Sequence, residues 1–114
     1  MSTQRREVIK IDAQEALLAA ADYIEQNGWW RRSFGIKNQR CMVGALREVN
    51  GVHGVNTHTP CDTIVGYREL RDYVQKHFPS FWSPESVNDS VLKTRYEAID
   101  MLKSAAKELA NEGR

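Results

Sequence analysis

The chain has 114 residues, 41% hydrophobic and 27% charged, with 16 Lys+Arg set against 15 Asp+Glu. That is the composition of one soluble globular domain with one modest core. It excludes a disulfide-dense or collagen-like chain (2 Cys, 7 Gly, 3 Pro), a membrane-spanning run of ~18 apolar residues, and a duplex binder driven by a large overall cationic excess.

Residues 1–11 read as a flexible N-terminal arm carrying Arg5, Arg6 and Lys10 against Glu7, and residues 12–114 as a single helical domain. Asp12-Ala-Gln-Glu15 is a capping box, in which the Asp side chain accepts from a first-turn amide and the Glu reaches back. Ala13, Leu17, Ala20, Ala21 and Ile24 follow at three- and four-residue spacing, one face of a helix that Asn27-Gly28 stops. Residues 29–39 connect it to a short second helix with Met42, Ala45, Leu46 and Val49 on its apolar face. Asn38 is the expected cap and Asn50-Gly51 the expected stop. Gly44 inside that helix costs about 1 kcal/mol relative to Ala, for which a close helix crossing is the usual reason.

Residues 51–65 are rich in Gly, Asn and Thr and predict a long irregular loop. Tyr67, Leu70, Val74 and Phe78 space out a third helix that ends before Pro79. Ser83-Pro84-Glu85-Ser86 has the form of a single helical turn, with Ser as cap and Pro first, and Asn88-Asp89 that of a loop. Thr94-Arg-Tyr-Glu97 is a second capping box, opening a last helix over residues 95–111. The expectation is therefore an all-α domain of four main helices, with Leu17, Ile24, Leu46, Leu70, Val74, Ile99 and Leu102 in one core.

Cys41 and Cys61 are 20 residues apart. Residues 1–12 are too polar for the apolar core of a secretion signal, so a cytoplasmic protein with reduced thiols is expected.

Gly28-Trp29, the run Arg40-Cys41-Met42-Val43-Gly44-Ala45-Leu46, and Asn88-Asp89 ahead of Thr94-x-x-Glu97 resemble the pattern of a small uncharacterised family of actinobacteria and their phages. Its members read Gly-Trp, a Cys-x-x-Gly-Ala-Leu helix, a Tyr-containing helix, then Trp-Asn-Asp and a helix. The resemblance spans residues 13–108. It departs at Val87, where the family has Trp, and in a longer 51–65 loop. It implies a helical fold and a phage-type origin inside a bacterial host, and no activity.

Cys41 near a helix N-terminus has the placement of an activated thiolate, with His53, His58 or His77 as base. The competing reading, a buried thiol filling a core gap beside Gly44, is favoured because Cys is among the most buried residue types. Cys41, His53, His58 and Cys61 include one tight pair, His58-x-x-Cys61, where zinc sites commonly use two. No metal, cofactor or catalytic role is expected.

Residues 28–50 hold Arg31, Arg32, Lys37, Arg40 and Arg47 against a single acid, Glu48, interleaved with Trp29, Trp30 and Phe34. Aromatic and cationic side chains mark protein interface hot spots, and they also stack on unpaired bases and track phosphates. Trp29 is expected to pack back on the first helix. Trp30, Arg31, Arg32 and Arg40 are then the expected interface, with the 51–65 loop alongside. The reading is a non-enzymatic phage-type accessory protein that binds a host protein. A Cys41-based enzyme or zinc protein, and a nucleic-acid binder using residues 28–50, are the alternatives.

Overall fold

The computed structural model describes residues 11–31, 33–53, 59–81 and 83–112. The chain runs α1 (Ala13–Asn27), β1 (Gly35–Ile36), β2 (Gln39–Arg40), α2 (Met42–Val49), a 3-10 turn (Cys61–Thr63), α3 (Tyr67–His77), α4 (Pro84–Ser90) and α5 (Arg95–Asn111). The all-α expectation holds, with a two-residue hairpin as its one sheet among the described residues. No described helix is long and apolar enough to cross a membrane.

The two longest helices begin on the capping boxes. Glu15 N–H donates to Asp12 Oδ1 at 2.8 Å and Asp12 N–H returns to Glu15 Oε1 at 3.3 Å. Thr94 and Glu97 repeat the exchange at 3.3 and 3.1 Å. Each box satisfies amides that the first helical turn leaves without intrahelical partners. Helices α1 and α5 pack along each other, and both are rich in buried alanine: Ala16, Ala20 and Ala21 on α1 and Ala98, Ala105 and Ala106 on α5. These short side chains permit a close approach. Larger groups fill the space the remaining helices enclose: Leu17, Ile24, Met42, Val43, Leu46, Leu70, Val74, Val87 and Leu102 are all fully buried. All seven expected core residues, Ile99 included, lie in this cluster.

Four local expectations are corrected. The described residues form five α-helices, because the Ser83-Pro84 turn continues to Ser90 as α4: Ser83 Oγ accepts from Ser86 N–H at 3.2 Å and Pro84 occupies the first turn. Asn88-Asp89 therefore sits inside a helix, where burial of Asn88 overrides its turn preference. The cap of α2 is Cys41, and Asn38 instead forms, with Lys37, the two-residue turn of the β1–β2 hairpin. Within 51–65, the described part is less irregular than expected. Asn50 Nδ2 donates to Val65 O at 3.1 Å and its Oδ1 accepts from Val65 N–H at 2.8 Å, so one side-chain amide closes the base of the loop. Residues 54–58 of that loop and residues 1–10 of the expected arm lie outside the described residues, and Ile11 is half-buried against the core.

Candidate functional site

The connector between α1 and α2 is a built structure. The hairpin pairs Gly35 with Arg40 and Ile36 with Gln39. Trp29 bridges to Arg40 in parallel: Arg40 N–H donates to Gly28 O at 3.2 Å and Trp30 N–H to Arg40 O at 3.0 Å. The turn residue Lys37 has φ 52°, a left-handed conformation that L side chains enter at a cost.

Arg40 holds this turn. Its Nη1 donates to Lys37 O at 2.6 Å and Gln39 O at 2.8 Å, while Nε and Nη2 each lie 3.0 Å from Glu48 Oε2 on α2. At 5% exposure, Arg40 is not the surface residue its sequence context suggests. A buried guanidinium must be neutralised and hydrogen-bonded, and Glu48 with two carbonyls does both. The other oxygen of Glu48 lies 2.9 Å from Nδ1 of His53, an exposed residue.

Asn88 joins three elements. Its Oδ1 accepts from Trp29 Nε1 at 2.7 Å and from Met42 N–H at 3.2 Å, and its Nδ2 donates to Trp30 O at 3.0 Å. The fully buried amide thus ties both tryptophans and the start of α2 to α4. Trp29 is half-buried against the core, and its indole N–H is directed to α4.

Cys41 and Gly44 form a compact lock. Cys41 Sγ accepts from Gly44 N–H at 3.2 Å, and Cys41 N–H donates to Phe34 O at 3.0 Å. A Cβ on Gly44 would stand 2.1 Å from Phe34 O. The neighbour that requires glycine is thus the connector backbone and not a crossing helix. Burial pushes the Cys41 thiol up to about 12, against the smaller opposing effect of the backbone amides of Gly44 and Val43. Desolvation of the thiolate outweighs the helix N-terminus here, so Cys41 is a protonated thiol at neutral pH.

Of the expected interface residues, Trp30 is half-buried, its Nε1 donating to Ser33 Oγ at 3.1 Å. Arg31 is half-buried, donating to Leu92 O at 3.2 Å with its guanidinium 5.8 Å from the Trp29 ring centroid. Arg32 lies outside the described residues. Arg47 is 1% exposed and packs over the Phe34 ring at 4.6 Å, so its charge is also withdrawn from the surface. The sequence reading missed Ile36, which is 45% exposed beside exposed Lys37. A two-residue strand is too short for an alternating pattern to reveal it.

A second polar cluster lies where α2, α3, α4 and the 3-10 turn meet. Glu85 accepts from the Tyr67 hydroxyl at 3.1 Å and lies 3.9 Å from Cys61 Sγ. Arg47 Nη1 donates to Thr59 O at 2.8 Å and lies 3.9 Å from the same sulfur. Burial and then Glu85 raise the Tyr67 hydroxyl above its usual range. The same two causes raise Cys61, with Arg47 opposing. Both groups therefore stay protonated and serve as donors to Glu85. Of the conceivable zinc set, Cys41 caps a helix and His53 pairs with Glu48, while His58 lies outside the described residues. Among the described residues no group of three His, Cys, Asp or Glu is placed to hold a metal.

A family model matches residues 10–108. The chain belongs to DUF6197, a family of unknown function. No curated protein and no solved structure matches it. Within this DUF6197 domain, Gly28-Trp29, Arg40 to Leu46 and Asn88 are widely separated in sequence and meet around the connector. The Cys-x-x-Gly spacing is what lets one side chain cap α2 while the glycine admits Phe34 O.

Proposed function

We propose that this DUF6197 domain is a non-enzymatic binding module of phage type, acting in the cytoplasm of a bacterial host by binding a host protein through its α1–α2 connector. The observation that carries this reading is the clamp of Arg40 on the hairpin turn. It spends a buried ion pair on holding a short exposed turn in a strained conformation. Such support serves to preorganise a binding surface, because ordering costs are then met before the partner arrives. Trp30, Ile36 and Lys37, with Arg31 and Arg32 adjoining in sequence, supply the aromatic, apolar and cationic groups that dominate interface energetics. Arg40 moves from the interface to the frame beneath it.

The alternatives lose specific support. Arg40 and Arg47, two of the five cations of residues 28–50, are buried, which weakens a nucleic-acid reading. The protonated state of Cys41 weakens the nucleophile reading. The test is in-cell cross-linking of the tagged protein in a bacterial host, with wild type, Trp30→Ala and Arg32→Ala compared. Loss of one defined protein partner in both folded variants supports the proposal. Unchanged capture by both, or capture of nucleic acid that falls steeply with salt, refutes it.

A further inference from the structure

Three segments of the connector form one small pleated surface. Gly35 pairs with Arg40 and Ile36 with Gln39, while Trp29 bridges to Arg40 on the other side of β2. Side chains alternate across a strand, so this register sorts them. Trp29, Gly35 and Arg40 turn inward, where Arg40 is buried and a Cβ on Gly35 would meet its side chain. Trp30, Ile36 and Gln39 fall on the outward face. Gly28 adjoins them there, since a Cβ on it would lie 2.9 Å from Cγ of Gln39. Ile36 and Gln39 are exposed and Trp30 is half-buried.

The charge of this face has one sign. Residues 28–47 contain no Asp or Glu. Glu48, the next residue, is engaged by Arg40 and His53. Asp89 on α4 accepts from Asn88 Nδ2 at 3.1 Å and has a further partner. Exposed Lys37 pairs with no acid among the described residues, and half-buried Arg31 is held by two neutral groups, Leu92 O and the Trp29 ring. The carbonyls of the turn are already accepting: Lys37 O and Gln39 O from Arg40, and Asn38 O from the Tyr23 hydroxyl at 2.9 Å. What the turn offers a partner is therefore apolar and cationic.

On the reading that the connector is the binding surface, we propose that its partner presents an acidic, apolar protein segment. Apolar side chains of that segment rest on Ile36 and the Trp30 ring, and a carboxylate meets the Lys37 ammonium. An aliphatic centre with a cation at its edge has the layout of a protein interface, apolar within and polar at the rim. A phosphate backbone is instead tracked by several cations in a row, and here Arg40 and Arg47 are buried.

The test titrates the 15N-labelled full-length protein with acetyl-Glu-Leu-Glu-Leu-Glu-amide, with its glutamine counterpart, and with oligothymidylate. Saturable shifts of the Ile36, Lys37 and Gln39 amides and the Trp30 indole are expected with the glutamate peptide, at a Kd on the order of 1 mM. Lys37→Glu, shown to melt as wild type does, should weaken this by about three- to tenfold, the size of an exposed ion pair lost and a repulsion gained. Lys37→Arg should retain it. No saturable shift at the connector, equal response to the glutamine peptide, or indifference to Lys37→Glu overturns the proposal. Tighter binding of oligothymidylate at the same signals overturns it in favour of nucleic acid. If Trp30→Ala loses the cross-linked partner while the two peptides act alike, the acidic class falls and the binding module stands.

Discussion

Gly44→Ala separates the account of the connector from ordinary helix energetics, because the two give opposite signs. By propensity alone, alanine inside α2 stabilises by about 1 kcal/mol. In the structure the new Cβ falls 2.1 Å from Phe34 O and 3.0 Å from Phe34 C, both backbone atoms with no flexible end to swing aside. The connector must then retreat from α2. That strains the packing by ~1–3 kcal/mol and pulls Phe34 O from the amide of Cys41, a loss of ~1–3 kcal/mol if that buried donor finds no substitute. Net of propensity, a destabilisation of roughly 1–5 kcal/mol is expected, lowering the melting temperature by ~4–20 °C for a domain of this size. Urea denaturation followed by tryptophan fluorescence measures it. A neutral or stabilising Gly44→Ala would mean that the connector does not rest on α2 as described.

Asn88→Ala leaves the Trp29 indole, the Met42 amide and the Trp30 carbonyl without their common partner. A loss of ~3 kcal/mol or more in chemical denaturation is expected. Arg40→Ala breaks a buried ion pair and frees two turn carbonyls, which should cost ~3–5 kcal/mol. Arg40→Lys should rescue little of this, since one ammonium cannot reproduce the planar fork. Native Cys41 should be alkylated at pH 8 about a thousandfold more slowly than a free thiol, following its thiolate fraction; comparable rates would refute the burial. The same thiol, raised to about 12 from 9.0 when unfolded, binds its proton more tightly in the folded state. Its contribution to stability is therefore complete below about pH 9 and is lost as pH rises toward 12, which denaturation midpoints in Cys41→Ala and wild type compare.

The helices were legible where periodicity and caps agreed. Asp12 with Glu15 and Thr94 with Glu97 mark their helix starts without any knowledge of the fold, because capping is a local exchange. The apolar faces of α1, α3 and α5 were likewise readable. What stayed hidden depends on contacts distant in sequence. Asn88 reads as a turn residue until Trp29 and Met42, 59 and 46 positions away, are placed against it. Arg40 reads as a surface cation because nothing local shows that Glu48 will face it. Cys41 competes poorly with Asn38 as a cap on preference scales, and only the position of Phe34 O shows why the helix starts after it. For the candidate interface, the aromatic and cationic composition was readable, whereas the division between the presented groups and the frame was not.

If the clamped connector presents a partner-binding surface, substitution of two similarly exposed apolar residues, one on the hairpin and one away from it, should have unequal effects. Ile36 on the hairpin is 45% exposed and Leu18 on α1 is 40% exposed. The measurement is the affinity of Ile36→Asp and Leu18→Asp for the partner cross-linked by wild type, each variant first shown to melt as wild type does. Ile36→Asp is expected to weaken binding by about 2 kcal/mol or more, near thirtyfold, and Leu18→Asp to bind as wild type. Wild-type binding by Ile36→Asp, or a loss confined to Leu18→Asp, would contradict the proposal.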